Sequence, residues 1–87
     1  MNVSITLQNT GDARAIIEAI AADNPSAKIQ SFPAMVKIDC ASRLVIQRRT
    51  VEEKVGRAWD LQELHLSLVS LSGNIEEDDD AFVIAWR

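Results

Sequence analysis

Chemistry in a polypeptide needs a nucleophile, an acid–base pair, a metal-ligand set or a cradle for a cofactor. The 87 residues hold one cysteine, Cys40, one histidine, His65, and no tyrosine. Two such groups fall short of the three or four ligands of a zinc site unless carboxylates complete the set. A Cys40–His65 dyad is open to the sequence. However, Cys40 alternates with Val36 and Ile38, which assigns it to a buried face as a small hydrophobe. His65 lies opposite Leu64, Leu66 and Leu68 and reads as a surface or interface imidazole. Gly11, Gly56 and Gly73 are too scattered for a phosphate loop, and there is no Gly-x-Ser-x-Gly elbow. The acidic run Glu76-Glu77-Asp78-Asp79-Asp80 lacks the spacing of a calcium-binding EF-hand loop and reads as a solvated loop. Arg43, Arg48 and Arg49 form a small basic cluster of solvated edge residues or partner contacts. Trp59 and Trp86 read as core anchors. With no reactive constellation in view, the chain is expected not to be an enzyme by itself.

The elements that would position these residues must come from one modest core, because 87 residues suffice for a single domain, 1–87. A hydrophobic share of 47% against 25% charged is ordinary for a soluble globular protein. No apolar run is long enough to cross a bilayer, and the N-terminus carries no secretory signal pattern. A lone cysteine suits a reducing cytoplasm. The net charge of −4 argues against nucleic acid or an anionic membrane and favours a protein surface as partner.

Val3, Ile5 and Leu7 alternate with polar residues and predict a half-buried strand. Ala13, Ile16, Ile17 and Ile20 then fall at helical spacing, which predicts a helix over about 12–23, capped by Thr10 or Asp12 and ended by Asn24-Pro25. Strands are expected over 28–32, 35–40 and 43–48. Thr50-Val51-Glu52-Glu53 has the form of a capping box opening a short helix, with Val51, Val55 and Ala58 inward and Gly56 weakening it. Asp60 can cap a further turn through Glu63. The alternation of Leu64, Leu66 and Leu68 predicts a long strand, followed by a loop from Gly73 through the acidic run and a last strand with Phe82, Ile84 and Trp86.

The order β-α-β-β-β-α-β-β defines an α+β fold, a mostly antiparallel sheet with two helices on one side. Its β-α-β start leaves room for one parallel pair. By parity, Phe32, Met35, Val45, Val69, Leu71 and Val83 occupy the second face of the strands. A second layer of sheet is expected to cover them, an exposed docking patch being the alternative.

Several segments, taken in order, carry a resemblance. They begin with Asp23-Asn24-Pro25, Pro33-Ala34-Met35 and Thr50-Val51-Glu52-Glu53. Gly56-Arg57-Ala58-Trp59-Asp60, Gln62-Glu63, Ser72-Gly73-Asn74, Glu77-Asp78-Asp79-Asp80 and Phe82-Val83 follow. Together they resemble the regulatory, or coupling, proteins of bacterial multicomponent di-iron monooxygenases, and most of all the branch of phenol hydroxylase regulatory components. The relative that serves methane oxidation has a long N-terminal extension that this sequence lacks. The resemblance implies a βαββ-type fold with no metal or organic cofactor, and a monomer is the default expectation for the free chain. The implied partner is the hydroxylase component, bound on its large subunit above the di-iron centre, where the effector couples oxygen activation to hydroxylation. It also implies contact residues: Ser70, Leu71, Ser72 and Asn74 first, then Arg57 and the Phe32–Met35 bend with Met35. Two other readings compete. A small-molecule-binding regulatory module requires a closed apolar pocket between sheet and helices. A small enzyme requires Cys40 and His65 to act together.

Overall fold

The alternation at the N-terminus forms the strand it predicts. A computed structural model describes residues 2–86, apart from the side chains of Asp12 and Leu61. β1 (Asn2–Gln8) buries Val3, Ile5 and Leu7. α1 (Gly11–Asp23) follows, with the Thr10 side chain accepting a hydrogen bond from the Ala13 amide at 3.2 Å. The alternative cap, Asp12, falls outside the described side chains. Ala13, Ile16, Ala19 and Ile20 form the buried stripe of α1, as the 3.6-residue period requires. β2 (Lys28–Ser31), β3 (Met35–Ala41) and β4 (Arg43–Gln47) come next, then α2 (Arg48–Val55).

The second long helix departs from expectation at both ends. α2 starts two residues before Thr50, its N-cap is Gln47, and no side chain caps it. The capping box is instead realised at Asp60 and Glu63. The Asp60 carboxylate accepts from the Gln62 amide at 2.8 Å, and the Glu63 carboxylate accepts from the Asp60 amide at 3.0 Å. Gly56 ends α2 in the left-handed conformation, φ 76°, where a side chain is disfavoured, so it is the helix stop rather than a weak point inside. Ala58 lies beyond that stop and is exposed.

The leucine alternation is not one strand. A 3-10 turn (Leu61–Glu63) runs into a single helical turn, α3 (Leu64–Ser67), and only then into β5 (Leu68–Ser72). Leu64 and Ser67 are buried, and Leu66 is 79% exposed. The acidic run is not one loop either. Glu76 and Glu77 belong to β6 (Asn74–Glu77), and the turn to β7 (Ala81–Ala85) carries only the three aspartates. The described residues therefore contain seven strands.

They form two sheets, β2-β3-β1-β5 and β4-β7-β6, in which every pairing is antiparallel. The room left for a parallel pair is not used. β1 pairs with β3 and β5. Both sheets turn their apolar faces to one core. Val3, Ile5, Leu7, Val36, Ile38 and Cys40 come from the first sheet, and Leu44, Ile46, Phe82 and Ile84 from the second. α1 packs on α2 and β4 and closes the rest of that core. The second sheet thus shares the primary core and does not cover the outer faces. Phe32, Met35 and Val69 are exposed, while Val45 and Val83 are half-buried opposite each other.

The chain changes sheets at two tight points. Ser42, φ 65°, joins β3 to β4. Gly73, φ 136°, joins β5 to β6, where a Cβ would overlap Ile84 and come within 3.1 Å of Val3. A side chain is excluded there by both backbone and core.

Asn24 fixes the second sheet to α1. Its amide donates to the carbonyls of Ile20 at 2.8 Å and Val45 at 2.7 Å, and its oxygen accepts from the Val45 amide at 3.0 Å. Val45 sits on the outer edge of β4, where these two backbone groups have no strand to pair with.

Candidate docking surface

The residues expected to contact a partner are positioned mainly by β5. Its pairing with β1 places Leu68 opposite Leu7, Ser70 opposite Thr6, Leu71 opposite Ile5 and Ser72 opposite Ser4, with a register shift between Thr6 and Leu7. Val69 is the extra residue of that bulge. Directly opposed residues point to the same face, so Leu71 joins Ile5 on the core side and packs there half-buried. This corrects the parity that set Leu71 beside Val69 on the outer face. A bulge exchanges the faces of the residues beyond it. Leu71 supports the strand from beneath, and Ser70 and Ser72 are exposed on the outer face.

That face carries an uncharged row of hydroxyl residues, with Ser4 and Ser72 paired and Ser70 paired with Thr6, which is itself buried. Lys37 and Asp39 on β3 border it, 3.9 Å apart. Met35 opens β3 on the same outer side, opposite Gln8, and is 40% exposed. The bend before it is held by Asn9, whose side-chain amide donates to the Phe32 carbonyl at 3.1 Å and whose backbone amide donates to the Ala34 carbonyl at 3.1 Å. The fold thus brings Ser70, Ser72 and Met35 onto one sheet face. Asn74 lies past Gly73 on the other sheet, opposite Ala85 and exposed. Arg57 is not on that face; it occupies the loop between α2 and α3.

This loop is rigidly held. The Arg57 guanidinium forks onto Glu63 at 3.1 and 3.4 Å and donates to the Ala58 carbonyl at 2.8 Å. The Glu52 carboxylate accepts from the Trp59 amide at 2.9 Å. The Arg57 guanidinium, and then the Asp60 amide, hold the Glu63 carboxyl below its ordinary range. The amides of Asp80 and Ala81 do the same for Asp78 in the acidic turn. His65 sits 3.3 Å from Glu77, with its ring edge-on to the buried Phe82 at a centroid distance of 6.1 Å. Trp59 is a core residue as expected, but Trp86 is 44% exposed and donates its indole N–H to the Asn2 carbonyl at 2.8 Å.

The competing readings find little to build on. Cys40 has Ser26 as its partner at 3.6 Å, whereas His65 has Glu77 and Phe82. Among the described residues no three His, Cys, Asp or Glu side chains gather to hold a metal ion. A hollow of about 240 Å³ is lined by Arg48, Asp60, Gln62, Glu77, Asp78 and Asp79, a charged surface rather than a closed apolar pocket. Sequence reasoning passed over Leu66, the most exposed large apolar side chain described, because its alternation with Leu64 and Leu68 reads as a strand. The signal that could have found it is the Asp60–Glu63 spacing, which starts a helical turn just before it.

The described residues form a small α+β domain with one packed interior and no gathered set of metal-ligating side chains. The chain belongs to the MmoB/DmpM family, whose sequence profile matches residues 1–85. It is 48% identical over 85 residues to the phenol 2-monooxygenase stimulatory component DmpM of Pseudomonas sp. (strain CF600), covering 98% of this chain and 94% of that protein. A chain from a solved phenol hydroxylase–regulatory protein complex superposes with a TM-score of 0.95 at 46% identity, over 100% of both chains. Regulatory protein B of soluble methane monooxygenase shares the fold, with a TM-score of 0.77 at 16% identity over 99% of this chain and 65% of its own.

Proposed function

We propose that this chain is a non-catalytic effector of a phenol-oxidising multicomponent monooxygenase. It binds the hydroxylase component and couples oxygen activation to substrate hydroxylation. The observation that carries the reading is the full-length match to a chain solved in complex with phenol hydroxylase. The 48% identity to a stimulatory component supports it from sequence. No helix among the described residues is long and apolar enough to cross a membrane, and the working compartment proposed is the cytoplasm.

The physical mechanism is linkage. An effector without reactive groups changes a catalyst only by binding one of its conformations more tightly than another. A preference of about 1–3 kcal/mol shifts the populations roughly 5–150-fold. A rigid binding face serves this better than a soft one, since ordering it on contact would consume part of that preference. The hydroxyl face over β1 and β5 and the Met35 bend are the surfaces proposed to touch the hydroxylase, above the di-iron centre of its large subunit. Asn74 and Arg57 extend the proposed contact, and Leu71 stiffens it from the core side.

The test is reconstitution. Purified chain added to hydroxylase and reductase should raise the hydroxylated phenol formed per electron pair delivered, to a saturating plateau. Equal yield with and without it rejects the proposal.

A further inference from the structure

We infer that Leu66 is an apolar anchor by which this effector seats on the hydroxylase, an inference that rests on the function proposed above. Leu66 leaves 79% of its surface in water, although its immediate neighbours are fixed. Leu64 and Ser67 are buried on either side of it. His65 is held between Glu77 and the Phe82 ring, and the extended backbone at Leu68 ends the turn on its other side. A leucine left in water contributes little to folding, and a turn already ordered loses little entropy when a partner covers it.

The surroundings select the occupant. Leu66 stands over a groove of about 60 Å³ with Ile16, Val55, Trp59 and Ser67, bordered by Arg57 and Glu63. That is room for about two waters and too small for a drug-sized ligand, so the tip must enter something rather than receive it. Beside it Arg57 is matched within the chain by Glu63, and His65 lies 3.3 Å from Glu77. An apolar tip beside an internally matched Arg57–Glu63 pair complements an apolar pocket on a protein. A second copy carries the same net charge of −4 and is repelled, and an anionic lipid surface is repelled likewise. A matching chain spanning the same full length is solved with phenol hydroxylase, which supplies a protein partner of the required kind.

The experiment titrates Leu66→Ser, Leu66→Met and wild-type chain into hydroxylase and reductase, reading half-saturating concentration and plateau separately. Leu66→Ser should need about tenfold more protein for half-saturation, with its melting temperature unchanged. Leu66→Met should stay within about twofold of wild type, since it keeps the apolar volume. Ile29→Ser, an exposed apolar residue on the β2 edge, should behave as wild type. Half-saturation of Leu66→Ser at the wild-type concentration overturns the inference while leaving the effector function intact. A change in sedimentation of the free chain on Leu66→Ser also overturns it, assigning the patch to a second copy. Absence of any response to wild-type chain removes the functional reading and the anchor with it.

Discussion

Replacing Asn24 by alanine tests whether one side chain joins the helical layer to the second sheet. Asn24 is 7% exposed and makes three side-chain hydrogen bonds, one to Ile20 and two to the backbone of Val45. The Ile20 carbonyl keeps a partner in the variant, because the backbone amide of residue 24 donates to it at 2.9 Å. The Val45 amide and carbonyl do not, since they face away from β7. Each net hydrogen bond contributes about 0.5–1.5 kcal/mol, and a buried group left unpaired costs about 1–3 kcal/mol. Counting the two Val45 groups and the weaker loss at Ile20, the destabilisation should be about 3 kcal/mol. For a domain of this size that lowers Tm by more than about 10 °C. Urea unfolding followed by tryptophan fluorescence measures it directly. Asn24→Asp provides an internal check. A carboxylate there still accepts from the Val45 amide but faces two carbonyl oxygens, so at neutral pH it should be at least as damaging as alanine. Those carbonyls favour the protonated acid, so its folded pKa is raised. The stabilising protonated form is therefore present at acidic pH and lost as pH rises through that value. The destabilisation of Asn24→Asp should thus shrink relative to wild type on moving to mildly acidic pH. A loss below about 0.5 kcal/mol for Asn24→Ala would refute the assignment, because it would mean water replaces the amide at no cost.

Gly73→Ala should destabilise by about 3 kcal/mol or more, combining positive-φ strain with the overlap on Ile84 and Val3; chemical denaturation checks this, and a neutral effect would show that the sheet crossing is not set by close packing. The 56–63 loop should loosen in acid. The folded pKa of Glu63 lies below its unfolded value, so its contribution is present above the unfolded value and is lost as pH falls through the folded one. Trp59 fluorescence in a Trp86→Phe background should report this as pH falls below the ordinary glutamate range, and Glu63→Gln should remove the transition.

The sequence by itself determined the parts that depend on near neighbours. Period-two alternation at Val3, Ile5 and Leu7, and again at Val36, Ile38 and Cys40, specified strands and their inner faces. The spacing of Ala13, Ile16 and Ile20, ended by Asn24-Pro25, specified α1, and of its two candidate caps the structure shows Thr10 in place. The absence of a reactive constellation and the ordered family segments pointed to a binding protein, in line with its MmoB/DmpM membership. Tertiary structure decided what alternation leaves ambiguous. Leu64, Leu66 and Leu68 fit a strand by period, yet Leu64 and Ser67 are both buried only if the chain makes a helical turn. The bulge at Val69 then sets which of Ser70, Leu71 and Ser72 face outward, and a one-residue change in pairing leaves no mark in composition. Pairing into two sheets, rather than one, turned both apolar faces to a common core and left Phe32, Met35 and Val69 in water. These outcomes depend on contacts between residues far apart in the chain, and local spacing carries no record of them.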